Sequence, residues 1–526
     1  MVEGRLARFV GGLGLGYLHT LAALVFGLWL TPFLLRELGS HDYGLWLLAS
    51  QVLVYLALMD LGVVALVPRE VAFAAGQHRR HGADGTFGSP LDVGGAIGRT
   101  MALIAWQTPL VALAAAAAVW LLPTEWEQLR RPFAIVAAGF VVMFPLRVFT
   151  ALLQGLQDLT FLGTVQLAGW AAGTATTVGL AVLGFGLYAL AAGWVVSQLF
   201  PALIAWRRLA SRFPLAFPRR ARLSWVEVRQ QLGRGSWISV GQVAQVLLSG
   251  TDLVVVGKLL GPEAIVPYAC TGKLIAMLAN QPQLFMQMAL PALSELRGSA
   301  ARDRLFQVSR GMTQLMLLAS GAIVAVVLVV NAAFVGWWVG ESRFGGTALT
   351  VLLLAGMLVR HVNVTMVYTL FCFGYERRLA LTPIADGLVG LAAMVVLVPR
   401  FGAHGAAAGM LLATLLVSLP ANVLALAHEE NTSPWAFGRG IAPWFVRCAG
   451  VLAVTIALTA LLRPRGLAGA LPLAAGIAAL YAAVMMPVLR AAPLGPMLGA
   501  RLRPLLERLP GTARRLAAHT LESPAA

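Results

Sequence analysis

"VYLALMDLGVVALV", residues Val54 to Val67, places a single carboxylate, Asp60, in an otherwise apolar stretch. No other charge interrupts the chain between Gly44 and the Arg69–Glu70 pair. A run of that length matches the roughly 20 apolar residues a helix needs to cross a bilayer. An ionised side chain at the centre of such a helix costs about 2.5–3.5 kcal/mol, so it is expected to face a cavity or a partner. The role of Asp60 therefore depends on the solvent in which the chain folds, which the rest of the sequence establishes.

The chain has 526 residues, of which 59% are hydrophobic and 12% charged, with a mean hydropathy of +0.80. Soluble domains carry about 25% charged residues, so the composition is that of an integral membrane protein. The net charge of +17 is almost entirely arginine. In a soluble protein it would suggest nucleic acid, but here the arginines occupy the short segments between apolar runs, and no nucleic-acid partner is expected. Cys270, Cys372 and Cys448 all lie in apolar runs and read as small core residues, not as metal ligands or a disulfide framework. The first apolar run is too long for the apolar core of a secretory signal and reads as an uncleaved first span.

Fourteen apolar runs are candidate spans: 13–35, 44–67, 96–122, 132–155, 161–183, 186–206, 236–259, 265–290, 310–338, 346–371, 380–399, 404–426, 443–462 and 469–490. All read as helices, because lipid offers the backbone no hydrogen-bond partner and no barrel-type alternation occurs. The arginine bias of alternate loops predicts that the N- and C-termini are both cytoplasmic, with Arg463 and Arg465 the exception. "LSWVEVRQQLGRG" (223–235) and the tail "ARLRPLLERLPGTARRLAAH" (500–519) read either as amphipathic helices on the inner surface or as solvated basic segments.

"LLRELGSHDYG" (Leu34–Gly44) and "VVGKLLGPEAI" (Val255–Ile265) both leave an apolar run through a cation, a Leu-Gly and a turn residue. "FGLYALAAG" (Phe185–Gly193) and "FGAHGAAAG" (Phe401–Gly409) match in register. Both matches have an offset of about 220 residues. The first twelve runs therefore read as two parallel six-helix repeats, an architecture that places a substrate site between rocking halves. The expected fold is all-α and polytopic, with about 14 transmembrane helices. The expected organisation is a bundle over 1–206, a cytoplasmic linker over 207–235, a second bundle over 236–426, an extra helix pair over 427–490 and a basic tail over 491–526.

Six charges fall within runs: Asp60, Arg147, Asp252, Lys273, Arg360 and Asp386. Lys273, Asn280, Gln283 and Gln287 share a face at helical spacing, as do Gln242, Gln245, Ser249 and Asp252. Arg147 aligns with Gln154, and Arg360 with Asn363. Such stripes line a wet passage or act as interhelical hydrogen bonds. Asp386, followed by Gly387, reads either as a buried functional acid or as the cap of a broken half-helix. Arg147 either reaches the inner interface or faces the passage. Asp60 reads as a structural ion pair, a coupling-ion or proton site, or a substrate contact, with Gly62 loosening the helix beside it. His78 and His81 on the inner loop read as solvated, and His361 as a packed hydrogen-bonding residue or a titrating one. The glycines at 11, 12, 14 and 16 are not a nucleotide loop, since no strand precedes them.

"LTPFLLRELGSHDYGLWLLASQVLVYLALMDLGVVALVPREVA" (Leu30–Ala72) resembles the opening of polysaccharide-unit flippases of the multidrug/oligosaccharidyl-lipid/polysaccharide exporter superfamily. "RVFTALLQGLQDLTFLG" (Arg147–Gly163) and "GTDLVVVGKLLGPEAIVPY" (Gly250–Tyr268) are similar to their span-four turn and span-seven exit. The resemblance implies a flippase in the bacterial inner membrane, not an enzyme. It would move undecaprenyl-pyrophosphate-linked oligosaccharide, as O-antigen, capsule or exopolysaccharide units, to the outer leaflet by alternating access. It implies that Lys273, Arg360 and Arg147 meet the anionic substrate, with Asn280, Gln283 and Gln287 as polar lining. Asp60, Asp252 and Asp386 would be coupling sites for H+ or Na+, or structural ion pairs. No cofactor or metal is implied; membrane lipids and polysaccharide polymerase or ligase machinery are the expected partners. Fourteen spans are also found in the peptidoglycan-precursor branch, although span one lacks that branch's mid-membrane cation. A drug/cation antiporter is disfavoured by Lys273 and Arg360. A membrane-embedded ligase or polymerase is disfavoured by the short outer loops.

Overall fold

The computed structural model describes residues 3–495, other than 65–66, 69–70, 72–92, 157, 215–224, 249, 299–301 and 374. Among the described residues the regular structure is helical throughout. In chain order the helices are α1 (Glu3–Ala57), α2 (Val93–Trp120), α3 (Glu127–Gly155), α4 (Leu159–Val182), α5 (Leu187–Arg212), α6 (Trp225–Leu248) and α7 (Thr251–Leu260). They continue with α8 (Ile265–Gly298), α9 (Arg302–Val339), α10 (Thr347–Cys372), α11 (Glu376–Phe401), α12 (Ala403–Ala413), α13 (Leu419–Glu430), α14 (Pro434–Leu462) and α15 (Gly466–Arg490). A π-helical segment, Thr414–Ser418, joins α12 to α13.

Among the described residues ten helices are long and apolar enough to cross a membrane, and an eleventh is added if the bent pair α6–α7 counts as one. The sequence reading predicts fourteen spans, and the difference has identifiable sources. The first two apolar runs lie in one helix, α1, which kinks at Gly39. Helices α4 and α8, which carry runs five and eight, are not among the ten, because their threonines, glutamines and Lys273 lower the mean hydropathy. The segment from Trp225 is continuous with the seventh run within α6 and does not form a separate surface helix. The tail from 496 onward, with its basic motif, and His78 and His81 lie outside the described residues.

The chain packs as two compact units, Met1–Gly257 and Lys258–Ala526. Paired backbone geometry supports the repeat. Gly39 (φ 80, ψ 173) and Gly261 (φ 93, ψ 161) adopt nearly the same conformation at equivalent helix exits. Gly186 (φ 54, ψ −131) and Gly402 (φ 60, ψ −146) form a second such pair. L-residues with a Cβ rarely tolerate these regions, so glycine is retained at all four positions.

The two hairpins that follow are also built alike. In the first unit, a Cβ at Gly193 on α5 would lie 1.9 Å from Thr177 Oγ1 and 2.7 Å from the Gly173 carbonyl on α4. In the second unit, a Cβ at Gly409 on α12 would lie 2.9 Å from the backbone nitrogen of Met394 on α11. Small residues let the helices approach this closely where lipid supplies no hydrophobic driving force between them.

The core of the first unit is a buried stripe on α3, Phe133, Phe140 and Phe144, packed against Leu103, Ile104 and Leu209. In the second unit α9 runs antiparallel to α10, joined by three polar rungs: Ser309–Thr369 (2.5 Å), Ser320–His361 Nδ1 (2.6 Å) and Asn331–Thr350 (3.0 Å). The α9 members recur at intervals of eleven residues, three full turns, which keeps them on one face. The helix pair α14–α15 docks on α9 through Tyr481. Its hydroxyl donates to the Leu318 carbonyl (2.9 Å) over Gly321, where a Cβ would fall 2.3 Å from that hydroxyl.

Candidate functional site

In the first unit, α1 ends at Ala57 and a 3-10 turn, Leu58–Asp60, is followed by Leu61 and Gly62 at positive φ (48 and 71). The helix thus breaks directly after Asp60. The second apolar run is not one continuous helix to residue 67, as the sequence reading had it. The break leaves the Gly62 N–H without a helical acceptor, and Asp60 Oδ1 accepts it at 2.9 Å. Its other oxygen lies 3.6 Å from Arg147 Nη2 on α3. Asp60 is 1% exposed, so the carboxylate leaves water and finds a cation and a backbone donor in exchange. Asp60 thus stands in an ion pair with Arg147. Arg147, expected in contact with substrate, is held in that pair, and its Nη1 is buried without a hydrogen-bond partner among the described residues.

The stripe of Gln242, Gln245, Ser249 and Asp252 is not a single helix face. The chain breaks at Gly250 (φ 91), α6 and α7 diverge by 49°, and Asp252 falls in the first turn of α7. A carboxylate at a helix N-terminus is favoured by the exposed N–H groups there, and Asp252 Oδ1 accepts from the Leu253 N–H at 2.9 Å. Beside the break, Tyr55 donates to Thr251 (3.3 Å).

In the second unit the polar residues converge. Asp386 lies in the middle of α11, which continues unbroken through Gly387. The half-helix cap considered from sequence is therefore excluded. Asp386 is 2% exposed and accepts hydrogen bonds from Ser418 and from Thr414 (3.5 Å). Both donors belong to the π-helical segment, a local widening often found at functional sites. Arg360 on α10 lies within electrostatic reach of the same carboxylate. One turn along, Asn422 donates to Asn363 (2.8 Å), which extends the cluster. Arg360, Asn363, Asp386, Thr414, Ser418 and Asn422 thus form one polar constellation across α10, α11, the π-helical segment and α13. Sequence reasoning found Arg360, Asn363 and Asp386. It missed Thr414, Ser418 and Asn422, although their i, i+4, i+8 spacing is legible.

Helix α8 is unbroken, so Lys273, Asn280 and Gln283 do share a face; the side chain of Gln287 lies outside the described residues. Lys273 forms no ion pair with any described residue. Also missed was Gln107 on α2, 2% exposed, whose amide oxygen and nitrogen both lack a hydrogen-bond partner among the described residues. A single amide in a long apolar run gives no periodic signal. Cys270 and Cys448 are buried free thiols, and the side chain of Cys372 lies outside the described residues. Among the described residues no group of three or more His, Cys, Asp or Glu side chains is arranged to hold a metal.

The sequence pattern of a polysaccharide biosynthesis protein family matches residues 104–343. No curated protein matches the chain by sequence. Solved structures do match. An inward-facing multidrug-resistance MATE family transporter of the MOP superfamily aligns with a TM-score of 0.61 at 13% identity, covering 81% of this chain and 99% of that one. The lipid II flippase MurJ, in an inward closed conformation, aligns with a TM-score of 0.58 at 11% identity, covering 90% and 99%. These neighbours are a transporter and a flippase, not enzymes. The chain shares the multi-helical membrane fold of these two solved structures, and its residues 104–343 match the polysaccharide biosynthesis protein family.

Proposed function

We propose that this protein is a flippase for undecaprenyl-pyrophosphate-linked oligosaccharide, an O-antigen, capsule or exopolysaccharide repeat unit. It would be oriented with both termini on the cytoplasmic side of the inner membrane. The observation that carries the reading is Lys273, a cation on α8, the helix of the eighth apolar run, with no ion-pair partner among the described residues. Such a charge is costly in lipid without a counter-charge. A substrate that brings its own phosphates supplies one, and Asn280 and Gln283 on the same face offer hydrogen bonds to sugar hydroxyls. Arg360 adds a second cation to that role.

Asp386, held by two hydroxyls and within electrostatic reach of Arg360, is the coupling acid in this reading, and H+ or Na+ is the coupling ion. Asp60 and Arg147 are assigned to holding the break after α1. Asp252 is assigned to the first turn of α7. Polymerase or ligase machinery that consumes the flipped unit is the natural downstream partner.

The test is surface glycan display in cells that carry Lys273→Ala, Lys273→Arg, Arg360→Ala or wild-type protein, with membrane insertion checked by fractionation. Both alanine variants are expected to insert and to lose glycan display, and Lys273→Arg to retain part of it. Normal display in both alanine variants overturns the assignment.

A further inference from the structure

A cavity of about 580 Å³ in the second unit lies away from the polar constellation, where α9 ends and the turn between α14 and α15 meets it. Its walls include Gly336, Trp337, Glu341 and Phe344 from one segment and Pro464 and Leu467 from the other. The first segment is shaped by Gly340 (φ 100), which turns the chain out of α9 into the short 3-10 helix Glu341–Arg343. The Glu341 arm crosses Gly336, where a Cβ would stand 3.2 Å from its Cγ. Trp337 is 69% exposed, and Phe334 lies against its ring at 6.3 Å between centroids.

Two features determine the chemistry. Glu341 forms no ion pair with any described residue, in a chain of net charge +17. Arg343, the cation of the same turn, is turned away, its Nη1 donating to the Val339 carbonyl at 2.6 Å. A carboxylate with no ion-pair partner among the described residues, lining one cavity with a tryptophan and a phenylalanine, is an arrangement that receives an organic ammonium group, through charge and through the negative face of the ring. The cavity is also level with the ends of membrane helices, where lipid headgroups and interfacial tryptophans lie.

We propose that this cavity binds the ammonium headgroup of an aminophospholipid of the phosphatidylethanolamine type. Its ammonium pairs with Glu341 and lies against Trp337. The site would make the seam between α9 and the α14–α15 pair sensitive to the lipid class around it. It stands independently of the proposed transport substrate.

The experiment uses the full-length protein in nanodiscs of mixed phosphatidylethanolamine and phosphatidylglycerol, and native mass spectrometry of the lipid retained. Wild type is compared with Glu341→Gln and Trp337→Leu, each first shown to unfold at the wild-type temperature. Both variants are expected to retain about fivefold less phosphatidylethanolamine, with phosphatidylglycerol unchanged. Equal retention in Glu341→Gln overturns the proposal. Free ethanolamine bound as tightly as the lipid, with the same dependence on Glu341, overturns the lipid assignment and assigns a soluble amine. Loss of N-acetylglucosamine binding in both variants with phosphatidylethanolamine retained overturns it in favour of a saccharide.

Discussion

Replacing Asp60 by alanine removes two interactions at once, and their sizes can be separated. At 3.6 Å, the Coulomb attraction to Arg147 is about 4–5 kcal/mol at an effective dielectric of about 20. Desolvation of the carboxylate offsets much of this, and Arg147 is 29% exposed, so water screens the pair further. A net coupling of about 1–2 kcal/mol remains. The Gly62 N–H, 2.9 Å from Oδ1, loses a charged acceptor worth about 1.5–3 kcal/mol. Asp60→Ala is therefore expected to destabilise the protein by about 3–5 kcal/mol. Asp60→Asn, which keeps an acceptor for Gly62, should cost only the charge term, about 1–2 kcal/mol. The assay is reversible unfolding in mixed micelles by titration with a denaturing detergent, applied to Asp60→Asn, Arg147→Gln and the double variant. The double variant should be more stable than the sum of the singles predicts, by the coupling energy. Additivity to within about 0.5 kcal/mol would refute the ion pair as the reason for the buried acid.

Two further outcomes follow from packing. Gly193→Leu and Gly409→Leu should each force a helix hairpin apart and lower stability by about 1–3 kcal/mol or more. An unchanged unfolding midpoint for both would show that the glycine contacts do not hold the hairpins. Gln107→Met keeps the volume and removes a buried amide with no partner among the described residues, so it should stabilise by about 1–3 kcal/mol in the same detergent titration. A loss of stability would mean that the amide is satisfied in the membrane.

Much of the site was legible because a charge in lipid is conspicuous. Asp60, Arg147, Arg360 and Asp386 stood out from their runs; the structure pairs Asp60 with Arg147 and leaves Arg360 within electrostatic reach of Asp386. Their partners were less visible for a physical reason. Thr414 and Ser418 are small hydroxyls that can satisfy themselves on their own helix, so their spacing shows a shared face but does not identify Asp386 as their partner. The expected stripe through Asp252 failed because helical phase holds only while the helix is unbroken, and Gly250 breaks it. The sequence does not single out Glu341 or Trp337, because only the turn that brings Pro464 and Leu467 beside them makes a cavity.

Composition and the spacing of apolar runs determined by themselves that this chain folds in a bilayer, as helices, in two similar halves. Lipid leaves the backbone no other way to satisfy its hydrogen bonds. Tertiary structure decided which buried charges meet, where helices break and which side chain covers which glycine. Those outcomes depend on contacts between residues far apart in the chain, and a one-dimensional period carries no information about them.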